Sequence, residues 1–292
     1  MPEALAPGCG FPSVGWTLKA DKARRWRISN ERKPQPKKEA IMFKEHPSFV
    51  QSENEDIRVW RYMSFTKLVS LLESSCLFFT RADKLGDPFE GSWPKINVAA
   101  RFEIPNDIPE ESRPAFLEAT KNLSKVFKNM PKAIALNCWH MNEHESAAMW
   151  KLYLESNEGI AVQSTYKRLR DSLMDEEEIY MGIVKYIDYQ TEWIDARNLM
   201  SPFMHKRKSY EHEKEVRALV LKLPVVEKHM NFSKETIIDG LRIKVNMEAL
   251  AERIYVAPYS PGWFEELVRS VVTKYSYDFE IKHSGLDELP LF

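Results

Sequence analysis

The chain has 292 residues, of which 43% are hydrophobic and 29% charged, and its formal net charge is -1. This balance is typical of a folded globular protein and excludes an intrinsically disordered chain, which combines low hydrophobicity with a large net charge. It also argues against a protein that mainly coats nucleic acid, although a local basic patch leaves nucleic-acid binding open. No apolar run reaches the roughly 18 residues of a membrane span, and the three cysteines form no disulfide framework. We therefore expect a cytoplasmic protein with no membrane partner.

The segment 1–41 differs in composition from the rest of the chain. It combines scattered proline and glycine with basic runs at 22–27 and 32–38, and no periodic apolar face emerges. A proline-rich polar segment buries too little surface to offset the entropy lost on ordering it. We predict a disordered basic leader over residues 1–41 and a single α+β domain over residues 42–292. Translation that starts at Met42 is the other interpretation that this composition leaves open.

The body of the chain begins with alternating and helical patterns. Residues 57–62 alternate like a strand, and a helix with leucines at helical spacing follows the candidate N-cap Ser64. Residues 76–80 form a short apolar run, which is typical of a buried strand. Turn-forming glycine and proline then make a polar loop of residues 81–91.

The rest of the body alternates between helical and strand patterns. Helices are predicted over 109–130, 146–154, 193–209 and 261–274, and strands over 133–139, 159–162, 183–189, 216–223, 236–245 and 254–257. These elements interleave without a regular βαβ rhythm and without an internal repeat. The pattern predicts an α+β fold with a mixed, mainly antiparallel sheet flanked by helices.

The densest charged cluster is residues 206–217, at a predicted passage from helix to strand. Residues two apart on a strand share a face, so Glu213, Glu215 and Arg217 are expected to project together. Two carboxylates beside a guanidinium can act as an acid–base pair or orient a hydroxyl, which makes these three the candidate catalytic residues. The alternative is a solvated edge strand with compensating salt bridges.

A second polar cluster combines residues at the end of the first predicted strand with residues of the loop that follows the second predicted strand. Arg61 and Tyr62 end the first strand, and Asp87 and Glu90 lie in the loop. Arginine is suited to bidentate capture of phosphate or carboxylate, so this cluster is a candidate ligand-binding site. The alternative is structural, with Asp87 capping a turn and Glu90 pairing with Arg61 or Arg81 to hold the loop.

A third motif, His140, Glu143 and His144, matches the H-x-x-E-H order of some zinc peptidases. That motif works on a helix, whereas this stretch follows a predicted buried strand. A polar connection is therefore favoured and no metal is expected, although a metal-dependent hydrolase remains an alternative. Cys138 lies in an apolar run typical of an inert thiol, and neither a Gly-rich phosphate loop nor a nucleophile elbow occurs.

Several motifs, each weak alone, together resemble the bacterial family catalogued as domain of unknown function 2971. The resemblance spans about residues 57 to 285, and it implies no settled activity. It is carried by Trp60-Arg61-Tyr62, Leu77-Phe78-Phe79-Thr80, Asp87-Pro88-Phe89-Glu90-Gly91, Met149-Trp150 with Tyr153, Gly159-Ile160-Ala161-Val162, and Lys208 followed by Glu213-Lys214-Glu215-Val216-Arg217. Trp150 and Lys208 enter the predicted ligand site through this series.

The order of elements is also similar to that of ADP-ribosyltransferases. The resemblance implies that Arg61 anchors the NAD phosphates and that Tyr62 or Thr80 lines the pocket. Glu215, together with Glu213, would stabilise the developing oxocarbenium ion and position the acceptor. The Ser-Thr-Ser strand of the arginine-modifying class is missing, since Thr80 is its one candidate, and the D-P-F-E-G loop has no counterpart.

We therefore predict an NAD-using ADP-ribosyltransferase-like protein that acts in phage defence or another bacterial conflict. Its expected ligand is a small-molecule nucleotide, and the macromolecular acceptor stays open. The alternatives are a non-catalytic binding or regulatory module and the metal-dependent hydrolase of His140, Glu143 and His144.

Overall fold

The computed structural model describes residues 43–153, 157–227 and 229–292, so that the predicted leader over 1–41 lies outside the described residues. The described strands are β1 (Phe43–Lys44), β2 (Arg58–Ser64), β3 (Cys76–Arg81), β4 (Ile134–Met141), β5 (Gly159–Thr165), β6 (Ile179–Ile183), β7 (Lys185–Ile187), β8 (His205–Arg207), β9 (Glu215–Leu221), β10 (Val225–Val226), β11 (His229–Met230), β12 (Gly240–Lys244), β13 (Arg253–Val256) and β14 (Glu280–His283).

The described α-helices are α1 (Phe65–Ser74), α2 (Lys95–Phe102), α3 (Arg113–Asn129), α4 (Ala147–Tyr153), α5 (Tyr166–Ser172), α6 (Met247–Leu250) and α7 (Gly262–Lys274). Short 3-10 helices connect several elements, among them Ser201–Met204 and Lys208–Glu213. None of the described helices has both the length and the apolar composition to cross a membrane.

Ten of the strands form one sheet in the order β1-β6-β9-β4-β2-β5-β13-β14, with β12 joined to β3 and β3 joined to β4. The β1–β6 and β13–β14 pairs are parallel, and the other described pairs of this sheet are antiparallel. Helices flank the sheet. The predicted α+β class with a mixed, mainly antiparallel sheet is confirmed.

β4 is the strand at which the sheet divides. Its late residues His140 and Met141 pair with β2, whereas its early residues Ala135 and Leu136 pair with β3. β9 pairs with the opposite edge of β4 over seven positions, from Ile134 to His140. Because two strands share one edge of β4, they separate between residues 136 and 140, and a gap opens within the sheet.

The two faces of the sheet are packed differently. On one face, α1, α5 and α7 pack against a large apolar cluster that includes Leu68, Trp139 and Phe264. On the other face, Leu136 and Leu219 pack with Phe203 of the 201–204 turn in a smaller cluster. Apolar burial of this kind stabilises a fold by about 25 cal/mol per Å² of buried surface.

The segment 193–209 departs from the sequence-based expectation. The helix predicted there is wrong, because the described residues form a 3-10 turn, strand β8 and the start of a second 3-10 helix. Pro202 lacks a backbone N–H, Phe203 is fully buried, and Lys206 is held by an ion pair with Glu213. These tertiary contacts override the local helical pattern.

Gly91 occupies a left-handed backbone conformation, with φ of +70°, and a Cβ atom there would lie 2.2 Å from Cε1 of Phe203. We expect Gly91→Ala to lower the free energy of unfolding by about 3 kcal/mol, because left-handed strain costs about 1 to 2 kcal/mol and overpacking about 1 to 3 kcal/mol. Gly86→Ala is the matched control in the same loop, since a Cβ there has no heavy atom within 4 Å. Equal urea midpoints for the two variants would contradict the expectation.

Candidate functional site

A cavity of about 490 Å³ opens where the sheet divides. Its walls come from β2, β3, β4, the loop 85–90, α4 and the segment 206–217. Eight of the ten residues that the sequence predicted for catalysis or ligand binding line it: Arg61, Tyr62, Thr80, Asp87, Glu90, Glu213, Glu215 and Arg217. Trp150 and Lys208 are not among the lining residues.

Arg217 lies on β9 with its side chain only 1% exposed. Its guanidinium forms a bidentate pair with Glu90, at 2.6 and 2.9 Å, and also donates to Glu215 Oε2 at 3.0 Å. The carbonyl oxygen of Phe203 accepts a further bond. Since β9 lies between β6 and β4, the alternative of a solvated edge strand is wrong.

Glu215 is a buried carboxylate that stays ionised. Burial raises its pKa, but the charges of Arg217 and Lys206 outweigh burial, and the pKa is lowered below the usual value of a glutamate. Both of its ion pairs use Oε2, at 3.0 Å from Arg217 and 3.6 Å from Lys206, so that Oε1 is held by neither cation. Glu213 pairs with the same lysine and remains 19% exposed, facing the cavity.

The backbone explains why Glu213 and Glu215 stand together. Glu213 ends a 3-10 helix, Lys214 has a φ of 39°, and Glu215 begins β9. The prediction that the two carboxylates share one face of a strand is therefore wrong. Lys206 of β8 brings them together by pairing with both.

Arg61 reaches the cavity through the gap between β2 and β3. Its Nη1 donates to the carbonyl oxygen of Cys138, and its guanidinium carbon lies 6.0 Å from the centroid of the Trp139 ring. Burial lowers the pKa of Arg61, which is still a cation at neutral pH. No carboxylate of residues 43–153, 157–227 or 229–292 forms an ion pair with it. Arg61 thus presents a positive charge to the cavity with capacity to bind an anion.

The loop that carries Asp87 is held by both hydrogen bonds and an ion pair. The Asp87 carboxylate accepts from the backbone N–H of Phe89 at 3.0 Å and from Nη2 of Arg207 at 2.7 Å. Arg207 also lies over the rings of Phe89 and Tyr210, at 4.2 and 5.2 Å from their centroids. Asp87 and Glu90 are therefore each paired with an arginine, Arg207 and Arg217, and they hold the cavity wall.

Aromatic residues form another wall. The Tyr62 hydroxyl accepts from the backbone N–H of Ser146 at 2.8 Å, which leaves the Tyr62 ring to line the cavity. Tyr153 stacks on Tyr62 at 6.4 Å and is 49% exposed. Trp150 is buried behind Tyr62 and donates its indole N–H to Glu145. It supports the wall from behind.

Lys208 lies outside the cavity, and of the H-x-x-E-H motif only His140 lines it. Lys208 is 60% exposed and pairs with Glu192 at 2.6 Å. His140 is buried on β4, while Glu143 and His144 are exposed in the following loop, so the motif is not on the helix that metal ligation needs. Within the part of the chain that the structure describes, no three His, Cys, Asp or Glu residues are grouped to hold a metal ion.

Cys138 is a free thiol whose environment disfavours its reactive form. Burial raises its pKa well above the usual value, and the nearby charge of Glu215 acts in the same direction. The protonated thiol is a hydrogen-bonding neighbour of Glu215, which it helps to keep ionised. This is consistent with the inert thiol expected from the sequence.

No family model and no curated protein matches the chain, so membership in the family catalogued as domain of unknown function 2971 stays a prediction. Similar solved structures include Thermus sp. 2.9 DarT in complex with NAD+ and with ADP-ribosylated ssDNA, at 9% and 8% identity and a TM-score of 0.37 each. The same protein with carba-NAD+ gives 9% identity and a TM-score of 0.34. Each match covers 80% of this chain and 97% of that chain. TM-scores and identities this low do not establish a common fold, and they assign no ligand to this chain.

Glu90→Gln removes one charge of the buried pair with Arg217. We expect the free energy of unfolding to fall by about 3 to 5 kcal/mol, because the guanidinium is then buried without its bidentate partner. Glu192→Gln is the matched control: it breaks an exposed pair with Lys208, and its unfolding should match that of the wild type. Thermal and urea unfolding of both variants measure the difference. A stability loss as large in Glu192→Gln would contradict this account.

Proposed function

We propose that this chain is an NAD-using ADP-ribosyltransferase-like enzyme. The observation that supports it best is the single cavity that both Arg61 and Glu215 line. The reaction needs an anion site and a carboxylate within reach of one bound dinucleotide, and a cavity of about 490 Å³ falls within the usual range of small-molecule sites.

Arg61 would bind the diphosphate of NAD. It is the cavity arginine without a carboxylate partner among the described residues, whereas the charge of Arg217 is paired with Glu90 and Glu215. Its position between the walls partly desolvates the guanidinium, and a charge-assisted bond to phosphate is stronger in such surroundings than in water. The aromatic rings of Tyr62 and Tyr153 would flank a planar group of the ligand.

Glu215 would act at the ribose next to nicotinamide. When the bond from C1′ to the nicotinamide nitrogen breaks, nicotinamide leaves with the electron pair and positive charge develops on the ribose. A fixed carboxylate in a site of low dielectric constant stabilises that charge, and the Glu215 carboxylate would also accept a hydrogen bond from a ribose hydroxyl. Arg217 and Lys206 keep the carboxylate ionised and fix its orientation. Glu213 would approach the acceptor, because it is the more exposed of the two carboxylates.

Glu215→Gln should remove most nicotinamide release from NAD by the purified protein. We expect a loss of about 100-fold or more, since one lost electrostatic contact to the transition state costs this much in comparable sites. Release is measured by chromatography, with and without nucleic acid or cell lysate as a source of acceptor. Glu178→Gln, at an exposed ion pair with Lys44, is the control and should retain full activity.

Two outcomes would count against the transferase. One is no release by folded wild-type protein under any of these conditions. The other is release that persists unchanged in Glu215→Gln. NAD binding without release in either protein would instead indicate the non-catalytic module.

Arg61→Gln should weaken NAD binding. We expect the dissociation constant to rise by about 10-fold or more, because a charged hydrogen bond contributes about 1.5 to 3 kcal/mol. Arg58→Gln is the matched control on the same strand, since Arg58 donates to the carbonyl oxygen of Glu143 and does not line the cavity. Calorimetric titration with NAD measures both variants. Equal affinities would show that Arg61 does not bind the ligand.

A further inference from the structure

His140 is a cavity residue that the proposed function has not yet used. It lies on β4, lines the cavity and is 4% exposed. Its Nδ1 is 2.6 Å from the carbonyl oxygen of Glu213, whereas its Nε2 is buried with no hydrogen-bond partner among the described residues. Buried polar atoms without a partner are uncommon, and they often belong to sites that bind or react.

The contact at Nδ1 determines the tautomer of His140. A carbonyl oxygen can only accept, so Nδ1 carries the hydrogen and donates it. In the neutral ring, Nε2 then has a free lone pair. Burial lowers the pKa of His140, against the effect of its bond to Glu213, so the ring is neutral at pH 7. His140 thus offers an unoccupied proton acceptor within the cavity wall.

The carboxylates of the cavity are weaker candidates for accepting a proton. Lys206 pairs with both Glu213 and Glu215, and Arg217 holds the pKa of Glu215 below the usual value of a glutamate. A general base works best when its pKa lies near the operating pH, and an imidazole is closer to that value than an ion-paired carboxylate. The two kinds of group are therefore suited to different tasks.

We propose that Nε2 of His140 removes the proton of the acceptor nucleophile during ADP-ribose transfer. This inference rests on the proposed function and assigns the acceptor to a chemical class: a neutral nucleophile with an O–H or N–H bond. A carboxylate acceptor would need no base.

In this step, the acceptor heteroatom forms a bond to C1′ of the ribose as the bond from C1′ to nicotinamide breaks. Nicotinamide leaves as a neutral molecule with the electron pair of that bond. The acceptor proton moves to Nε2, and the resulting imidazolium still donates through Nδ1 to Glu213. Glu215 stabilises the positive charge that develops on the ribose, and His140 accepts the proton of the nucleophile.

Charged and titratable groups surround His140 on several sides. The ring of Tyr62 on β2 lies 6.3 Å from the His140 ring, and Glu215 of β9 is paired with His140 in the strand ladder. The segment 208–214 adds His212, Glu213 and Lys214. Lys214 and His212 lower the pKa of His140 further. The acid limb of the rate profile should consequently lie below the usual histidine value of about 6.5.

The test compares His140→Gln with His144→Gln, an exposed histidine four residues away. Transfer to methanol and to water is followed across pH 4 to 9 with NAD as donor. We expect His140→Gln to lower kcat about 100-fold, to leave KM for NAD nearly unchanged and to abolish the acid limb, since general bases contribute about 10²- to 10⁴-fold. His144→Gln should behave as the wild type.

The outcomes separate this proposal from the transferase itself. If release depends on Glu215 but His140→Gln keeps the wild-type kcat and acid limb, the transferase stands and His140 is not its base. If wild-type protein releases no nicotinamide, both proposals fail. Nitrogen NMR of histidine-labelled protein supplies a readout without turnover: a hydrogen on Nε2 of the neutral His140 ring would overturn the proposal whatever the activity.

Discussion

The guanidinium of Arg217 is the charge on which the rest of the site depends. It lies almost fully buried in the middle of the sheet, where an unpaired cation would be very costly. Glu90 therefore has to be placed against it, and this requirement ties the D-P-F-E-G loop to β9. The carbonyl of Phe203 and the carboxylate of Glu215 complete its partners, so a turn and the proposed catalytic group are fixed by the same side chain. The residues that pair with the buried charge of Arg217 therefore also form the cavity wall.

The division of the sheet at β4 explains the position of Arg61, the second charge of the proposed site. Strand alternation places Arg61 on the opposite side of β2 from Tyr62, towards the face that carries Trp139. In a continuous sheet, a residue on that side would not share a cavity with Glu215. Here β2 and β3 part along β4, and Arg61 lies in the opening with its Nη1 on the Cys138 carbonyl. The position of the proposed anion site is therefore a product of topology, which no local pattern encodes.

The sequence predicted the strands best where their period was strong, as in 57–62 and 133–139, which correspond to β2 and β4. It also predicted that Glu215 and Arg217 share a face. It missed α2, a helix of eight residues in which only Asn97 is buried. The role of His140 was also not apparent, because only its neighbours show that one ring nitrogen is bonded and the other is not. A zinc motif was the one signal that drew attention to this residue.

One face of β4 and β9 changes from apolar to charged within a few residues. Leu136 and Leu219 face each other and pack into a core cluster, while one step along the same ladder Cys138 faces Arg217 and then His140 faces Glu215. Leucines at the polar positions would bury at lower cost, because replacing a buried ion network by apolar residues is often neutral or stabilising by about 1 to 4 kcal/mol. The charged end of this face adds little that folding needs. Its cost is understandable if the cavity holds a ligand whose anionic and cationic parts require fixed opposite charges.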